Sequence, residues 1–440
     1  MARCLCLSLV CVLLFLLATR QARAESYNYA TPEPGSEVVV IVLTFGPGDE
    51  AWEKFGHNAI CIIDPYAAPR HRELTYNWGT FRFDQGFYWK FIQGRLLYEM
   101  TSEPAGFTIP RYEDANRAVY EQRLHLTPKQ KLALREELLA NDTDEKRFYL
   151  YHYYRNNCSS RVRDVIDDIT DHRLSQITKG VATGTTYRWH TDRLIADVPW
   201  LYVALKGVLG QPVDRPIDRW DEMFLPEKLH DRLKEVTVVI DGKTVPLVDK
   251  EIVEPPRDPN ARPPEPEVPP VMVWRYLGVG LALAILLAGV GHFAARHWSI
   301  RSAFCLLSLA WMALMAVGGL FIAWAWLATD HDVCRPNENV LHVSVLAAPM
   351  LVFLPMLAFG SRRGLRWGRR LMAIMVAVSL FGVVVKALPM FYQANWVIVA
   401  LCLPPNAAIA YTLWKMGKVP TWATRQPPTP GPAAGIQAPS

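Results

Sequence analysis

The sequence predicts an α+β soluble domain followed by an all-α bundle of five transmembrane helices. The 440-residue chain is 51% hydrophobic, yet its mean hydropathy is only +0.06, because two unlike halves are averaged. Up to about residue 270, charged residues are mixed with short strand-like and helix-like patterns. Beyond it, long apolar runs alternate with short polar loops, which is typical of a membrane bundle.

The first 24 residues have the pattern of a secretory signal peptide. Arg3 precedes an apolar run at residues 4–18, and Ala22-Arg23-Ala24 supplies the small-x-small pattern of a cleavage site. We expect cleavage after Ala24. An uncut leader would instead form an N-terminal anchor, and the following domain is exported in both cases.

Three strands open the soluble domain, which we place at residues 25–254. The run at 38–45 is β-branched and continuous, as in a buried strand. The run at 56–63 is also apolar, and the segment at 73–81 alternates polar and apolar residues. The alternation predicts that the third strand pairs with the second.

A helix and a hairpin follow from local signals. Thr127 and Gln130 form a capping box, which starts a helix that extends to about residue 140. Asp241-Gly242 at the centre of residues 236–248 predicts a β-hairpin. Both kinds of element belong to the predicted α+β class.

A proline-rich segment at residues 255–270 separates the two halves. Its composition predicts a semi-rigid, solvated spacer and therefore a domain boundary. The membrane bundle is then expected at 271–415, with a cytoplasmic, proline-rich tail at 416–440.

Five apolar runs in the second half are about long enough to cross a bilayer, for which roughly 20 residues are needed. The loop with Arg296 and Arg301 and the loop at 362–370 are basic, whereas the two loops between the other spans are not. The positive-inside rule therefore places the C-terminus in the cytoplasm and the soluble domain outside. The predicted spans are 271–294, 303–328, 340–359, 371–388 and 396–414.

The eight cysteines divide by location. Three lie in the leader, and Cys305 and Cys402 fall within predicted spans. The remaining three are Cys61, Cys158 and Cys334, and their odd number means that at least one thiol is unpaired in an oxidising compartment. Whether Cys61 and Cys334 form a disulfide stays open.

Cys158 has the sequence context of a nucleophile. A polar loop precedes it, and an amphipathic pattern with Val162 and Ile166 follows it, so we expect the sulfur at a helix N-terminus. Unpaired backbone N–H groups and the helix dipole favour a thiolate there. The alternative is a small core cysteine, since free cysteines are among the most buried residues.

His57 is the best-placed base for this thiol. It stands at the start of the second predicted strand, where a side chain can point into a cleft. The other histidines of the domain lie in polar surroundings: His71, His125, His152, His172 and His190. No HExxH or CxxC spacing occurs, so we expect neither a metal nor another cofactor. The absence of an interleaved basic and aromatic stripe argues against nucleic-acid binding.

Several ordered motifs resemble the Lnb family of bacterial lipoprotein N-acyltransferases. The resemblance covers nearly the whole chain after the leader, and the motifs keep their order and spacing. They are GHNAICI, YNWGTFRFDQGFYWKFIQGRLLYEM, RAVYEQRLHLTPKQ, RFYLYHYYRNNCSSRVRDVI, TDHDVCRPNENVLHV and KALPMFYQANWVIVALCLP.

This resemblance implies a permuted papain-like domain related to lecithin retinol acyltransferase, in which the histidine precedes the cysteine. It implies that Cys158 is the nucleophile and His57 the base. The third polar group would be Asn77 or Tyr76, which lie on opposite faces of one strand, so that only one can serve. We favour Asn77, because an amide oxygen accepts the imidazole N–H. A turn residue ahead of Gly79 is the alternative for Asn77.

The resemblance also implies a reaction and its partners. The donor would be a phospholipid, the intermediate an acyl thioester on Cys158, and the acceptor the amine of a diacylglyceryl-cysteine lipoprotein. The protein would lie in the bacterial inner membrane as a multi-pass protein, with its catalytic domain in the periplasm. We expect substrate-binding residues in the outer loops, although solvated loop positions and a snorkelling lysine are the alternatives. They are Asp330, His331, Asn337, Asn339 and Lys386.

Two other functions fit the same residues. One is a membrane-anchored cysteine peptidase or amidase acting on cell-wall peptides, since a fold does not fix a reaction. The other is a non-catalytic envelope scaffold in which Cys158 is merely buried.

Overall fold

The structure is a computed structural model that describes residues 33–81 and 86–417. The predicted leader at 1–24 lies outside the described residues, as does the tail from residue 418 onward.

Strands in the first half build one large sheet and two small ones. Seven strands form the large sheet in the order β11-β5-β1-β2-β3-β4-β6, with every neighbouring pair antiparallel. The three strands predicted near the start are confirmed as β1, β2 and β3, and β3 pairs with β2. The strands are β1 (Val39–Phe45), β2 (His57–Ile63), β3 (Glu73–Thr80), β4 (Leu97–Pro104), β5 (Val119–Leu124), β6 (Phe148–Leu150), β7 (Ala182–Thr186), β8 (Pro216–Asp218), β9 (Thr237–Ile240), β10 (Lys243–Pro246) and β11 (Val248–Glu254).

Helices of the first half pack around this sheet and confirm its α+β class. The capping box at Thr127 and Gln130 is present, and the helix it starts ends one residue beyond the prediction. The hairpin predicted around Asp241-Gly242 is formed by β9 and β10. The helices are α1 (Phe87–Gln93), α2 (Ala105–Asp114), α3 (Pro128–Asn141), α4 (Cys158–Ile169), α5 (Arg173–Thr178), α6 (Tyr187–Ile195), α7 (Pro199–Val208), α8 (Arg219–Glu222) and α9 (Pro226–Leu233).

The largest core of the domain holds α4 against the sheet. Val162 and Ile166, from the apolar face of α4, are fully buried with Ile60 of β2 and Leu134 of α3. Burial of each such side chain contributes roughly 1.5–3 kcal/mol. This packing fixes the position of the helix, and with it the position of Cys158 at its first turn.

The proline-rich segment at 255–270 forms neither helix nor strand, but it is not a freely solvated spacer. Nε and one terminal nitrogen of Arg262 donate to the two carboxylate oxygens of Asp49, at 2.6 and 2.7 Å. Asp258 accepts and donates hydrogen bonds with Asn116, and Glu265 pairs with Arg193 at 3.1 Å. We call residues 258–265 the strap. The sequence predicted a solvated spacer and missed these contacts, because ion pairs between distant residues leave no local sequence signal.

The second half is helical. Among the described residues, four helices are long and apolar enough to cross a membrane, or five spans if one bent pair counts as a span. The last helix contains the predicted fifth span. The helices are α10 (Val273–Ala294), α11 (Trp298–Ala328), α12 (Met350–Ala358), α13 (Arg362–Val384) and α14 (Trp396–Met416).

The predicted third span, 340–359, is not one straight helix. The 3₁₀ turns within Glu338–Ala347 and the helix α12 meet at an angle of 44°. Pro349 stands at the bend, as the N-cap of α12. Proline lacks an N–H group and disfavours the helical conformation of the residue before it, so the apolar run is broken there.

The two halves are joined by backbone contacts that leave little room. The N–H of Gly210 donates to the carbonyl of Val333 at 2.8 Å, and that of Gln211 to the carbonyl of Pro336 at 2.9 Å. A β-carbon on Gly210 would stand 2.2 Å from the Pro336 oxygen. Only glycine therefore permits this approach.

Candidate active site

Cys158 is the first residue of α4, as the sequence predicts. The side chain of Asn157 accepts the N–H of Ser160 at 2.9 Å, and the hydroxyl of Ser160 accepts the N–H of Asn157 at 2.8 Å. The Asn157 amide is itself held by the carbonyl of Phe224 at 2.9 Å. This capping box binds the N–H groups of Asn157 and Ser160. The N–H groups of Cys158 and Ser159, which lie between them, remain beside the sulfur.

The thiol of Cys158 is free and half-buried. Burial raises the pKa of this thiol. The backbone N–H groups of Asn58, Ser159 and Cys158 lower the pKa, and so does the charge of Arg117. Burial is the larger effect, so the resting group is the protonated thiol. The N–H groups are the donors that a negatively charged sulfur or oxygen would meet there.

His57 begins β2 and contacts Asn77 of β3. The distance between His57 Nε2 and Asn77 Oδ1 is 3.3 Å, and the amide oxygen can only accept a hydrogen bond. Nε2 therefore carries the proton, and Nδ1 is the basic nitrogen. Tyr76 lies on the other face of β3, buried in the core. Of the two residues that the sequence left open, it is Asn77 that orients the imidazole.

The imidazole of His57 is neutral over a wide pH range. Burial lowers its pKa to about 4, the charge of Arg117 lowers it as well, and the hydrogen bond to Asn77 opposes them. The rings of Phe45 and Tyr112 stack against it, with centroids at 6.1 and 6.0 Å. A neutral imidazole beside a protonated thiol is the arrangement of a general base and its nucleophile before reaction.

Arg117 belongs to this site, and sequence reasoning missed it. Its guanidinium is buried, donates to the carbonyl of Gly46 at 2.7 Å and lies 3.3 Å from Glu53. It also stands over the ring of Tyr112 at 4.6 Å. A single arginine before a strand has no periodicity that would separate it from a surface residue, so no sequence signal pointed to it.

Gly79 brings β3 close to the thiol. A β-carbon on Gly79 would lie 3.8 Å from Cβ of Cys158 and 3.6 Å from the ring of Tyr151, and its φ is +94°. The left-handed conformation favours glycine here, and the two contacts are ordinary van der Waals distances. Within the described residues, no hydrogen bond joins the sulfur directly to the imidazole. Such contacts are often long in free enzymes and shorten when substrate binds.

A row of aromatic rings leads away from Cys158, and sequence reasoning missed it too. Tyr151 adjoins Gly79, and its ring lies 4.4 Å from that of Tyr98. Phe81 is 5.2 Å from Tyr98 on one side and 5.2 Å from Phe87 of α1 on the other. We call these four residues the aromatic row. The alternation of tyrosines at 149, 151 and 153 was a period-two signal that could have revealed one face of it.

Asp330 and His331, predicted to bind substrate, contact the aromatic helix α1. Asp330 pairs with Arg95 at 2.8 Å, and both side chains are exposed. His331 Nε2 donates to the carbonyl of Phe91 at 3.1 Å, and the histidine ring stacks on Tyr153 with centroids 6.1 Å apart. Binding of a lipid headgroup by these two residues stays a prediction.

Asn337 and Asn339, also predicted to bind substrate, are buried between the two halves of the protein. Asn337 donates to the carbonyl of Val208 at 2.9 Å, and Asn339 to that of Lys206 at 2.8 Å. Their amides already have protein partners in α7. A headgroup would therefore have to compete with these bonds.

Lys386 has a place that neither sequence interpretation anticipated. Its ammonium lies 2.8 Å from the carboxylate of Glu338, with side-chain exposures of 8% and 4%, and it donates to the carbonyl of Gln393 at 2.8 Å. Lys386 thus has a buried protein partner, and its binding of a lipid phosphate stays a prediction. We call Asn337, Glu338, Asn339, Lys386 and Gln393 the junction.

The cysteines left open by the sequence are both unpaired. Cys61 and Cys334 are free, buried and packed in different cores. Burial raises the pKa of each to about 12. Cys61 lies within β2 and Cys334 in a 3₁₀ turn, so neither stands at the first turn of an α-helix as Cys158 does.

Among the described residues, one group of side chains has a metal-ligand arrangement. Asp167, Asp168 and His172 place their ligand atoms within 4.8 Å of one another at the end of α4. Asp167 already accepts the N–H of Ser175 at 2.7 Å, and the other two residues are exposed. The group caps the end of the helix, and we assign no metal to it.

Residues 26–193 match the family model of the Lnb N-terminal periplasmic domain. The matched part contains Cys158, His57 and Asn77. No curated protein and no solved structure matches the chain. Together with the apolar helices, the match is consistent with an Lnb-type protein, that is, a membrane protein with a periplasmic N-terminal domain.

Proposed function

We propose that this protein is a membrane-bound thiol acyltransferase that forms triacylated lipoproteins. It would move a fatty acyl chain from a phospholipid, through a thioester on Cys158, to the N-terminal amine of a diacylglyceryl-cysteine lipoprotein. The observation that carries the proposal is the free thiol at a helix N-terminus, whose sulfur meets the N–H of Asn58, the residue directly after the His57 that Asn77 binds. All of these residues lie within the part that matches the Lnb domain. The chain order, with histidine before cysteine, also supports a permuted papain-like arrangement.

In the first step, the sulfur of Cys158 attacks the ester carbonyl of the phospholipid while Nδ1 of His57 takes the thiol proton. The carbonyl oxygen becomes an oxyanion, and the N–H groups of Cys158 and Ser159 are placed to stabilise it. The acyl C–O bond then breaks. The leaving alkoxide takes the proton from the imidazolium, which releases a lysophospholipid and leaves the acyl thioester.

In the second step, the amine of the lipoprotein attacks the thioester carbonyl and His57 accepts the amine proton. The C–S bond breaks, and the departing thiolate of Cys158 receives that proton. The sum is one ester and one amine converted to one amide and one hydroxyl, with no oxidant, reductant or metal consumed. An amine opens a thioester readily, and an apolar site limits competing hydrolysis.

The resting charges suit this sequence of steps. A protonated thiol needs a base, and a His57 whose pKa is lowered to about 4 is available as that base at every pH above it. Two neutral partners also require no counter-ion in an apolar site. The imidazolium forms only during reaction, when Asn77 accepts its N–H.

The test is an acyl-trapping experiment on the full chain. The purified protein is reconstituted with phosphatidylethanolamine and a synthetic diacylated lipopeptide, and the products are followed by mass spectrometry. We expect acyl mass on Cys158 that hydroxylamine removes, an amide-linked acyl chain on the lipopeptide, and loss of both in Cys158→Ala. Cys61→Ala is the matched control, since its thiol is buried in a different core and should leave transfer intact.

Two outcomes would overturn the proposal. One is an unmodified lipopeptide despite a folded protein and a reactive Cys158. The other is cleavage of muropeptides without acyl transfer, which would make the protein a cell-wall peptidase or amidase.

A further inference from the structure

We propose that α1 lies in the boundary between headgroups and acyl chains of the bilayer, and that the cavity beside it guides one acyl chain of a phospholipid toward Cys158. The location of α1 goes beyond the proposed function. The identity of the guided chain rests on the proposed function, because a phospholipid must be the acyl donor.

The surface of α1 is unusually apolar for a helix in water. Tyr88 is 70% exposed, Trp89 60%, and Phe91 and Ile92 39% each. Four large apolar or aromatic side chains are thus exposed within seven residues. Tyrosine and tryptophan are enriched where membrane meets water, and contiguous apolar patches mark interaction surfaces.

The position of α1 identifies a bilayer as the surface it meets. The helix is fastened to the residues that directly follow the end of α11, a 31-residue helix apolar enough to span a membrane. The N–H of Asp330 donates to the carbonyl of Gln93 at 2.8 Å, and His331 binds the carbonyl of Phe91 at 3.1 Å. The end of α1 therefore lies where α11 leaves the apolar layer.

A cavity of about 340 Å³ opens beside α1. Ligand cavities in proteins typically range from about 300 to 1,000 Å³. Its charged lining consists of Lys90, Arg95, which pairs with Asp330, and Glu99. Its apolar lining comes from Phe81, Phe87, Phe91, Leu96, Leu97 and Phe148.

The aromatic row connects this cavity to the thiol. Phe81 and Phe87 belong both to the row and to the cavity wall. From Phe81 the row continues through Tyr98 to Tyr151, which adjoins Gly79 and through it Cys158. An apolar path of this kind can receive a methylene chain while its ester end stays near the sulfur.

The location of α1 is tested with a matched pair of labelled tyrosines. Tyr88 of α1 is 70% exposed and Tyr66, in the turn after β2, is 76% exposed. Tyr66 lies about 20 Å from His57, since seven strand residues span roughly that distance. Each is changed to cysteine in a full-length Cys158→Ser background and labelled with a fluorophore sensitive to polarity. The Cys158→Ser protein without a further substitution is labelled in the same way, and it measures how much fluorophore reacts with the other cysteines.

The labelled proteins are reconstituted in phosphatidylethanolamine–phosphatidylglycerol vesicles that carry nitroxide-labelled lipid. A helix buried about 5–10 Å into the interface should lose about half of its fluorescence at position 88, and position 66 should lose almost none. Equal quenching at the two positions would show that α1 does not enter the bilayer.

The acyl route is tested with Phe87→Ser/Phe91→Ser, which removes two aromatic rings from the wall of the cavity. The measured quantity is the rate of acyl-Cys158 formation from bilayer phospholipid divided by the rate from a water-soluble short-chain acyl thioester. We expect this ratio to fall about tenfold, because the variant no longer holds the donor chain near the thiol. Tyr66→Ser, which removes an exposed aromatic ring that does not line the cavity, should keep the wild-type ratio.

The outcomes separate this inference from the proposed function. If the wild type forms the adduct and the α1 variant keeps the wild-type ratio, the acyl route is wrong while the function stands. If the wild type forms no adduct from phospholipid, the function fails and the route with it. The quenching measurement then still decides whether α1 enters the bilayer.

Discussion

The junction and the site around Cys158 are both polar clusters, but they use their polar groups in opposite ways. In the junction, Lys386 and Glu338 pair with each other, and the amide of Asn339 is bound by a carbonyl of α7. Around Cys158, by contrast, the N–H groups of Cys158 and Ser159 face the sulfur, and Asn77 binds only one of the two imidazole nitrogens of His57. The difference between a joint and a candidate reactive site is therefore the availability of polar groups and not their number.

The same contrast bears on the outer-loop residues that the sequence predicted to bind substrate. The outer loops attracted attention because they place several polar residues beside apolar runs. Polarity beside a membrane has two common causes, a ligand or a partner within the protein. For Lys386 the structure supplies the partner, Glu338, as a buried ion pair.

The largest expected effect removes the base. His57→Ala should lower the rate of acyl-Cys158 formation by about 10³-fold, within the range contributed by general bases. His71→Ala, in the 3₁₀ turn just before β3, serves as the matched control and should retain wild-type transfer. The measurement is single-turnover mass spectrometry of the adduct. A loss smaller than tenfold would mean that another group deprotonates the thiol.

The next prediction tests whether the junction is structural. Lys386→Met leaves the carboxylate of Glu338 buried without a partner, which typically costs about 3–5 kcal/mol. We expect that loss in the free energy of unfolding in detergent, with partial recovery in Lys386→Met/Glu338→Gln. A variant with unchanged stability and weakened phospholipid binding would place Lys386 in a binding site after all.

A smaller effect is expected from the residue that orients the base. Asn77→Ala should lower kcat about 10- to 100-fold, with little change in KM for the donor, because the imidazole keeps its place in the sheet but loses its fixed orientation. Tyr76→Phe, on the opposite face of β3, is the control. Should KM change instead of kcat, Asn77 would contact the substrate.

The smallest effect concerns pH. Arg117 lowers the pKa of His57, so Arg117→Gln should raise it and move the acid limb of kcat/KM upward from its position near pH 4. A shift on the order of half a pH unit fits one partly screened charge. Arg117→Lys keeps the charge and should shift the limb less. If Arg117→Gln and Arg117→Lys have the same acid limb of kcat/KM, then burial alone sets the pKa of His57.

The same depressed pKa gives stability a defined pH dependence. The unfolded imidazole takes up its proton near pH 6.5 and the folded one only near pH 4. Between these values the unfolded state binds more protons, so stability falls as the pH is lowered through this window. The measurement is thermal unfolding across the window, in which Arg117→Gln should show a weaker dependence.

Sequence reasoning succeeded where the cause of a structure is local. The capping box at Thr127, the turn at Asp241-Gly242 and the helix that begins at Cys158 are each fixed by a few neighbouring residues. The choice of Asn77 over Tyr76 needed only the period of a strand and the chemistry of an amide.

It failed where the cause lies in contacts between distant segments. Arg117 matters because β5 places it beside His57 and Tyr112. The aromatic row combines residues from β4, α1 and the segment before α4. The third predicted span is a bent pair and not one helix for a local reason, since Pro349 stands within the apolar run.

The strap limits the distance between the soluble domain and the membrane. Its ion pairs join Arg262 to Asp49 and Glu265 to Arg193. They bind the segment that connects the two halves to the soluble domain, and so they limit how far that domain can move from the membrane. If the protein acts as proposed, the thiol is held at a constant height above the lipids, and an acceptor would be selected by how near the membrane its amine lies. A lipid-anchored N-terminus meets that requirement, whereas the free end of a dissolved polypeptide reaches it only in passing.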